Sequence, residues 1–374
     1  MDMELFLKTR PLCPKCFYVK LHFVMKKVMA EKNRRRKEIC ILPLAFFVVF
    51  SLSFLVGRYP VSPFTALKIL FSRALSFFSF ERLSLSGWSG SEEAVVLNIR
   101  FPRIASASLI GAALSVAGAS YQGIFRNPMV SPDLLGASTG AGFGAALGIL
   151  TGGGYFAITL SSFSFGLLAV MLAVLVARKS RIDSTLSLVL AGVMISSLFS
   201  SGTSLIKLMA DTQDQLPAIT YWLMGSLSSI KMKDLIFAFF PVVIGLIPVI
   251  LLRWRINLLT LNEDEAKSMG IEVKKMRLII ILSSTLMTAG AVAISGMIGW
   301  VGLVIPHFSR LIFGDDYSIT LPSSAFLGAT FLLLVDDLAR IVSTAEIPLG
   351  ILTSFVGAPV FLFLILKGGR RNEA

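Results

Sequence analysis

Charge is scarce in this chain. Only 15% of its 374 residues are Asp, Glu, Lys or Arg, against 55% hydrophobic residues and a mean hydropathy of +0.79. A soluble domain of this size carries roughly 25% charged residues, so a water-soluble globule is excluded. Histidine is nearly absent, with two in the whole chain, and cysteine occurs three times, all before residue 41. Three cysteines cannot build a disulfide framework. Cys13 and Cys16 form a CPKC pair, half of a zinc site, but no second pair follows it; a structural zinc takes four ligands. The chain also lacks G-x-x-x-x-G-K-[ST], so it has no phosphate loop with which to hold ATP. H-E-x-x-H is absent as well, which makes a membrane-embedded zinc protease remote.

Long apolar runs are what remain. A transmembrane helix needs about 20 mostly apolar residues, and the sequence offers ten candidate spans: 39–56, 104–124, 134–150, 155–177, 184–208, 235–252, 278–297, 300–313, 321–335 and 349–366. The expected fold is therefore an all-α membrane protein with ten transmembrane helices. The formal charge of +13 could suggest nucleic acid, yet seven of those net charges lie before residue 39. Such placement fits orientation by the positive-inside rule, not a phosphate-binding face. NRRRK, RKSR, RWR, KKMR and KGGRR all fall on one side under this count. That side is read as the cytoplasm, with both termini inside.

Residues 1–38 read as a basic extension, with Met29 a natural alternative start; the transmembrane domain reads as 39–371. Within it, residues 59–98 hold Phe64, Leu67, Leu70, Phe71 and Leu75 at helical spacing. This segment is expected to lie on the outer membrane surface. Spans two to five and seven to ten form two four-span blocks entering from opposite faces, a topology common among transporters.

Gly136, Gly140, Gly144 and Gly148 repeat every four residues along span three, and Gly111, Ser115 and Gly118 give span two a similar small face. Both are read as helix-packing stripes. On span five, Met194, Ser197, Ser200, Ser201 and Ser204 share one stripe. It is either helix packing or the wall of a water-filled path, since polar groups in spans usually face a bundle interior or a cavity.

One island of charge interrupts the second half. NEDEAKSMGIEVKKMR, residues 262–277, carries eight charged side chains between two apolar runs, within a polar loop of 253–277. Asn262 followed three residues later by Glu265 resembles a capping box. Glu263, Asp264 and Glu265 suit the positive end of a helix dipole. Gly270 suits a left-handed helix end. A short capped helix is expected, with Ala266 and Met269 forming a small apolar face.

IRFPRIASASLIGAALSVAGASYQGIFRNPMVSPDLLGASTGAG, the charged island, GWVGLVIPHFSRLIFGDD and LVDDLARIVSTAEIPLGILTSFVGAPVFLFLILK occur in that order. Together they resemble the membrane permease of type II ABC importers, the FecCD family, over residues 39–371. The resemblance implies carriage of an iron–siderophore or similar metal chelate, with cobalamin, haem and molybdate as alternatives. It implies a homodimer in the inner membrane, two cytoplasmic ATPase subunits that bind ATP and Mg, and an external substrate-binding protein. No cofactor on this chain and no nucleic-acid partner is implied. The island at Asn262, Glu263, Asp264, Glu265, Ala266, Met269 and Gly270 would be the element that couples to the ATPase. Arg100, Arg103 and Arg340 would meet acidic residues of the binding protein; the plainer reading is arginines snorkelling to headgroups. Asn127, Pro128, Met129 and Thr185 would form the cytoplasmic gate, and Met194, Ser197, Ser201 and Ser204 would line the pathway. His307 beside Pro306 reads as structural, and Asp336 and Asp337 are expected to pair with Arg340 one turn on. An ion-coupled secondary transporter is the rival class. It calls for an acidic coupling site in a broken mid-membrane helix, and the sequence places no acidic residue at mid-span.

Overall fold

The computed structural model describes residues 41–57, 59–77, 87–180, 184–342 and 346–369. The basic extension, with its CPKC pair and Cys40, lies outside them. The chain divides into two units at Leu44/Ala45, and the second, Ala45–Ala374, contains the helical bundle. Every regular element among the described residues is helical, as apolar surroundings require when each backbone polar group must be satisfied within its own segment.

The helices are α1 (Ile41–Ser53), α2 (Pro63–Phe77), α3 (Gly90–Ala94), α4 (Phe101–Phe125), α5 (Ala137–Leu150), α6 (Tyr155–Lys179) and α7 (Ser184–Met209). After them come α8 (Gln215–Met224), α9 (Met232–Leu259), α10 (Glu263–Ser268), α11 (Val273–Ser295), α12 (Val301–Phe313), α13 (Tyr317–Val342) and α14 (Leu349–Gly369). Among the described residues, six stretches are long and apolar enough to cross a bilayer: 90–125, α6, Thr185–Met209 of α7, α9, α11 and α13. Four shorter apolar helices, α1, α5, α12 and the first part of α14, fall where spans one, three, eight and ten are expected. At 1.5 Å per residue, helices of 13 and 14 residues such as α12 and α5 fall short of the ~30 Å hydrocarbon core. The tenfold count therefore rests on these four helices.

Small residues decide which helices are central. The strongest apolar windows of 90–125 and α11 are 78% buried, whereas those of α7 and α9 are 22% buried. Helix α4 sits amid α9, α11, α12 and α13. A Cβ placed on Gly118 would fall on the Gly302 carbonyl of α12, and one on Gly111 would fall on the Gly328 carbonyl of α13. The span-three stripe does the same against α6. A Cβ on Gly140 would lie 2.5 Å from the Phe165 carbonyl oxygen, and one on Gly148 would lie 3.0 Å from the Ile158 Cα. Without a hydrophobic force between helices in lipid, such close backbone approach is a main source of attraction. The packing reading holds for Gly111, Ser115 and Gly118 and for Gly140, Gly144 and Gly148; Gly136 instead precedes α5 at φ +87° and faces the Ser196 hydroxyl of α7.

Helix α2 buries Ala66 and Ile69 and leaves Phe64, Leu67 and Phe71 outward. Exposed aromatic and leucine side chains on a peripheral helix suit a headgroup boundary. Residues 90–98 do not belong to that segment, because helical backbone runs unbroken from α3 through Val95–Arg100 into α4.

Candidate functional site

The continuous helix 90–125 changes pitch before Arg100. Residues Val95–Arg100 form a wide π turn, and the Phe101 N–H bonds to the Val96 carbonyl five residues back. Pro102 has no N–H to give the Asn98 carbonyl, which removes one regular bond where the helix widens. The turn leaves both Arg100 and Arg103 buried, at 4% and 6% exposure, with Arg340 of α13 at 7%.

The structure gathers these three arginines at one site, two of them on a single carboxylate. Asp336 is wholly buried. It accepts from Arg103 Nε and Nη2, each at 2.9 Å, and from Arg340 Nε at 2.9 Å. Arg103 Nη1 also donates to both oxygens of Glu346 at 2.9 Å. Asp337 accepts from the Ser53 hydroxyl at 2.6 Å and lies 3.4 Å from Arg340. Arg100 donates to the Phe54 and Tyr59 carbonyls. The expected pairing of Asp336 and Asp337 with Arg340 is therefore present, and it is larger than a local pair, joining α1, α4 and α13. Free snorkelling is corrected: these guanidiniums bind the protein's own carboxylates and carbonyls, because burial leaves a charge no water to turn to. They still reach a surface pocket of about 190 Å³, lined by all three arginines together with Glu346, Tyr59 and Gly57. Sequence reasoning does not single out Glu346. It stands nine residues beyond Asp337, outside helical spacing, and only the fold brings it to Arg103.

Directly after α9, the island folds as a short capped helix. The Asn262 N–H reaches the Glu265 carboxylate at 3.3 Å. Gly270 has φ +80°, a left-handed conformation in which glycine carries no Cβ penalty. The Gly270 N–H bonds to the Lys267 carbonyl at 2.9 Å, and the Ile271 N–H to the Ala266 carbonyl at 3.2 Å. Glu263 pairs with Arg277 at 3.0 Å, tying α10 to α11. Asp264 and Lys267 form an exposed pair at 3.3 Å. One detail is corrected. Ala266 is fully buried while Met269 is 59% exposed, so the two do not share an outward apolar face. A single methyl is small enough to seat α10 on the chain's own core, and Met269 alone projects.

Asn127, Pro128 and Met129 are exposed and form one turn after α4. Arg126 takes a left-handed φ of 51° to end the helix, and the Asn127 side chain accepts the Met129 N–H at 2.9 Å. Thr185 lies half-buried in the first turn of α7. Met194, Ser197, Ser200, Ser201 and Ser204 are all exposed along α7. Ser204 also bonds back to the Ser200 carbonyl at 3.1 Å, so its hydroxyl is satisfied while facing outward. His307 sets its ring edge-on to Phe361 of α14, with centroids 6.4 Å apart, in keeping with a packing role.

A cavity of about 580 Å³ is not foreseen from sequence. Leu223, Met224, Met297, Ile351, Ser354 and Phe355 line it, where α8, the 296–300 loop and α14 meet. The available signal was Gly225 and Gly296, both at positive φ (73° and 69°) and each packed against the other's loop.

The model of the FecCD transport family matches residues 44–367. The chain is 39% identical over 334 residues to the molybdate import system permease protein MolB of Haemophilus influenzae, covering 89% of this chain and 96% of that protein. It is 40% identical over 315 residues to a probable iron chelatin transport system permease protein of Helicobacter pylori, covering 80% and 95%. A solved structure of a metal-chelate type ABC transporter in an inward-facing conformation superposes with a TM-score of 0.78 at 38% identity, covering 89% of this chain and 99% of that one.

Proposed function

Because the chain belongs to the FecCD transport family, and so is a multi-pass permease subunit of an ABC importer, we propose that it conducts a metal chelate of the iron–siderophore type across the cytoplasmic membrane. The observation that supports this most is the family match over residues 44–367. Molybdate and iron chelatin relatives stand at nearly equal identity, so the test is a panel. Proteoliposomes holding the permease, its ATPase and its binding protein should take up one ferric chelate in preference to molybdate, haem and cobalamin. Preferential molybdate uptake would replace the substrate while leaving the permease reading intact.

In the proposed assembly two copies of this chain pair, with a separate ATPase dimer on the cytoplasmic side and a binding protein outside. ATP and Mg are held by the ATPase. The island, Asn262 to Gly270, docks on that ATPase, with Met269 as its projecting apolar contact and the acidic first turn giving it polarity. The exposed stripe Met194, Ser197, Ser201 and Ser204 faces the path between the two copies. A helix that leaves four serines, Ser197, Ser200, Ser201 and Ser204, outward in a membrane calls for water or a partner beside it.

The arginine pocket is the proposed docking point of the binding protein. Arg103 and Arg340 are committed to Asp336, whereas Arg100 bonds only to backbone carbonyls. Arg100→Gln is therefore the clean test. It should slow binding-protein association by about tenfold at low salt and lose most of that difference at high salt, as expected for a steering charge. Unchanged association at low salt would remove the docking role.

The turn Asn127, Pro128 and Met129, with Thr185, is the proposed cytoplasmic gate. Met129 is bulky and 56% exposed. Changing both Asn127 and Met129 to glycine should raise passive leak of substrate from loaded vesicles without ATP. Leak equal to that of the parent protein would place the constriction elsewhere.

A further inference from the structure

A groove lies where the last turns of α9 meet the first turns of α11; Met269 and Gly270 of the island border it, and its other lining residues serve none of these roles. It encloses about 390 Å³. Leu252, Met276 and Ile279 give it an apolar lining, and Arg255, Lys275, Glu272 and Trp254 line it as well. Trp254 is 65% exposed, and Arg253 and Lys274 are exposed beside it. Among the described residues no ion pair holds Arg253, Arg255, Lys274 or Lys275.

That combination is selective. An exposed tryptophan at the end of a membrane-spanning helix, flanked by arginines, belongs at headgroup depth. Arginine presents a planar fork that takes a phosphate through two donors. Cations converging from two helices beside an apolar lining suit a molecule with an anionic head and a hydrocarbon body. A soluble anion would have no use for Leu252 and Ile279. Basic pockets between spans near the cytoplasmic face bind anionic headgroups on the same physical grounds.

We propose that this groove is a site for one anionic phospholipid, its phosphate on Arg255 and Lys275, its headgroup beside Trp254 and its acyl chains over Leu252 and Ile279. Glu272 faces the same space and limits the affinity. The lipid would brace the two helix ends from which α10 hangs, making the coupling element sensitive to membrane composition. The proposal rests on reading this end of the bundle as a membrane boundary. Its test needs no transport, so its failure would leave the permease reading standing.

The experiment uses the full chain in phosphatidylcholine nanodiscs doped with brominated phosphatidylglycerol or, separately, brominated phosphatidylcholine. Quenching of Trp254 is isolated by subtracting the Trp254→Phe protein. The anionic lipid should quench Trp254 at lower mole fraction than the zwitterionic one. Arg255→Gln and Lys275→Gln should each reduce that preference by about fivefold, the size expected for one cation at an anionic surface, and Glu272→Gln should increase it. All three positions are exposed, so folding is not at stake. Inorganic phosphate should not compete. Equal quenching by both lipids, indifference to the three substitutions, or displacement by inorganic phosphate would each overturn the proposal. So would shielding of Trp254 by the ATPase in place of lipid, which would make the groove a protein interface.

Discussion

Changing Asp336 to alanine is expected to destabilise the folded protein by about 3–5 kcal/mol, the cost of leaving a buried ion pair half-removed. The magnitude follows from geometry. Asp336 is fully buried and is the shared acceptor of Arg103 and Arg340, whose side chains are 8% and 6% exposed. Without it, two guanidiniums face one another across a site with little water. Arg103 would keep Glu346, but Arg340 would keep only the more distant Asp337 and two carbonyls at 3.3–3.4 Å. Thermal unfolding of the purified protein in detergent, followed by helical circular dichroism, should show a large drop in midpoint. Glu346→Gln should show a much smaller one, because Glu346 is 27% exposed and Arg103 retains Asp336. Equal drops for the two would mean that the network does not centre on Asp336.

The second large effect is expected at Ala266. Its side chain is fully buried beneath the capped helix of the island, and arginine there cannot fit without lifting α10. Overpacking of this kind costs about 1–3 kcal/mol, which corresponds to roughly one to two orders of magnitude in the population of docked geometry. ATP-driven uptake should fall by at least about tenfold. Binding-protein docking at the arginine pocket should persist, since that pocket involves neither α10 nor α11. Met269→Ala should weaken co-purification of the ATPase with little change in thermal midpoint, because Met269 projects outward. Full uptake by Ala266→Arg would show that the island's posture is not what couples the two subunits.

These expectations also mark how far the sequence could be read. The island's backbone, a short capped helix ended by glycine, was legible because its signals are local: Asn262 and Glu265 three apart, acids in the first turn, glycine at the end. The glycine stripes were legible because close helix contact needs small residues on one face, and Gly118 meets Gly302 backbone to backbone. Two classes of feature were not legible. The direction of Ala266 depends on how α10 lies against α9 and α11, which spacing within a six-residue helix does not specify. Burial of Arg103 depends on Asp336 and Glu346, more than 230 residues away in sequence, and that of Arg100 on the distant Phe54 and Tyr59 carbonyls. A charge beside an apolar run looks like an anchor until its distant partner is placed. The π turn at 95–100 was hidden for a related reason: Pro102 signals a helix start, and only the backbone reveals that the helix had begun twelve residues earlier, at Gly90.

The central claim is that this chain is a conduit moved by a separate ATPase through its island. The direct measurement is uptake of the preferred chelate into proteoliposomes containing the permease and binding protein, with and without the ATPase, and with ATP or a proton gradient as the energy source. The account predicts uptake only when ATPase and ATP are both present, and none under a proton gradient alone. Accumulation driven by the gradient in the absence of the ATPase would contradict it and identify an ion-coupled transporter instead.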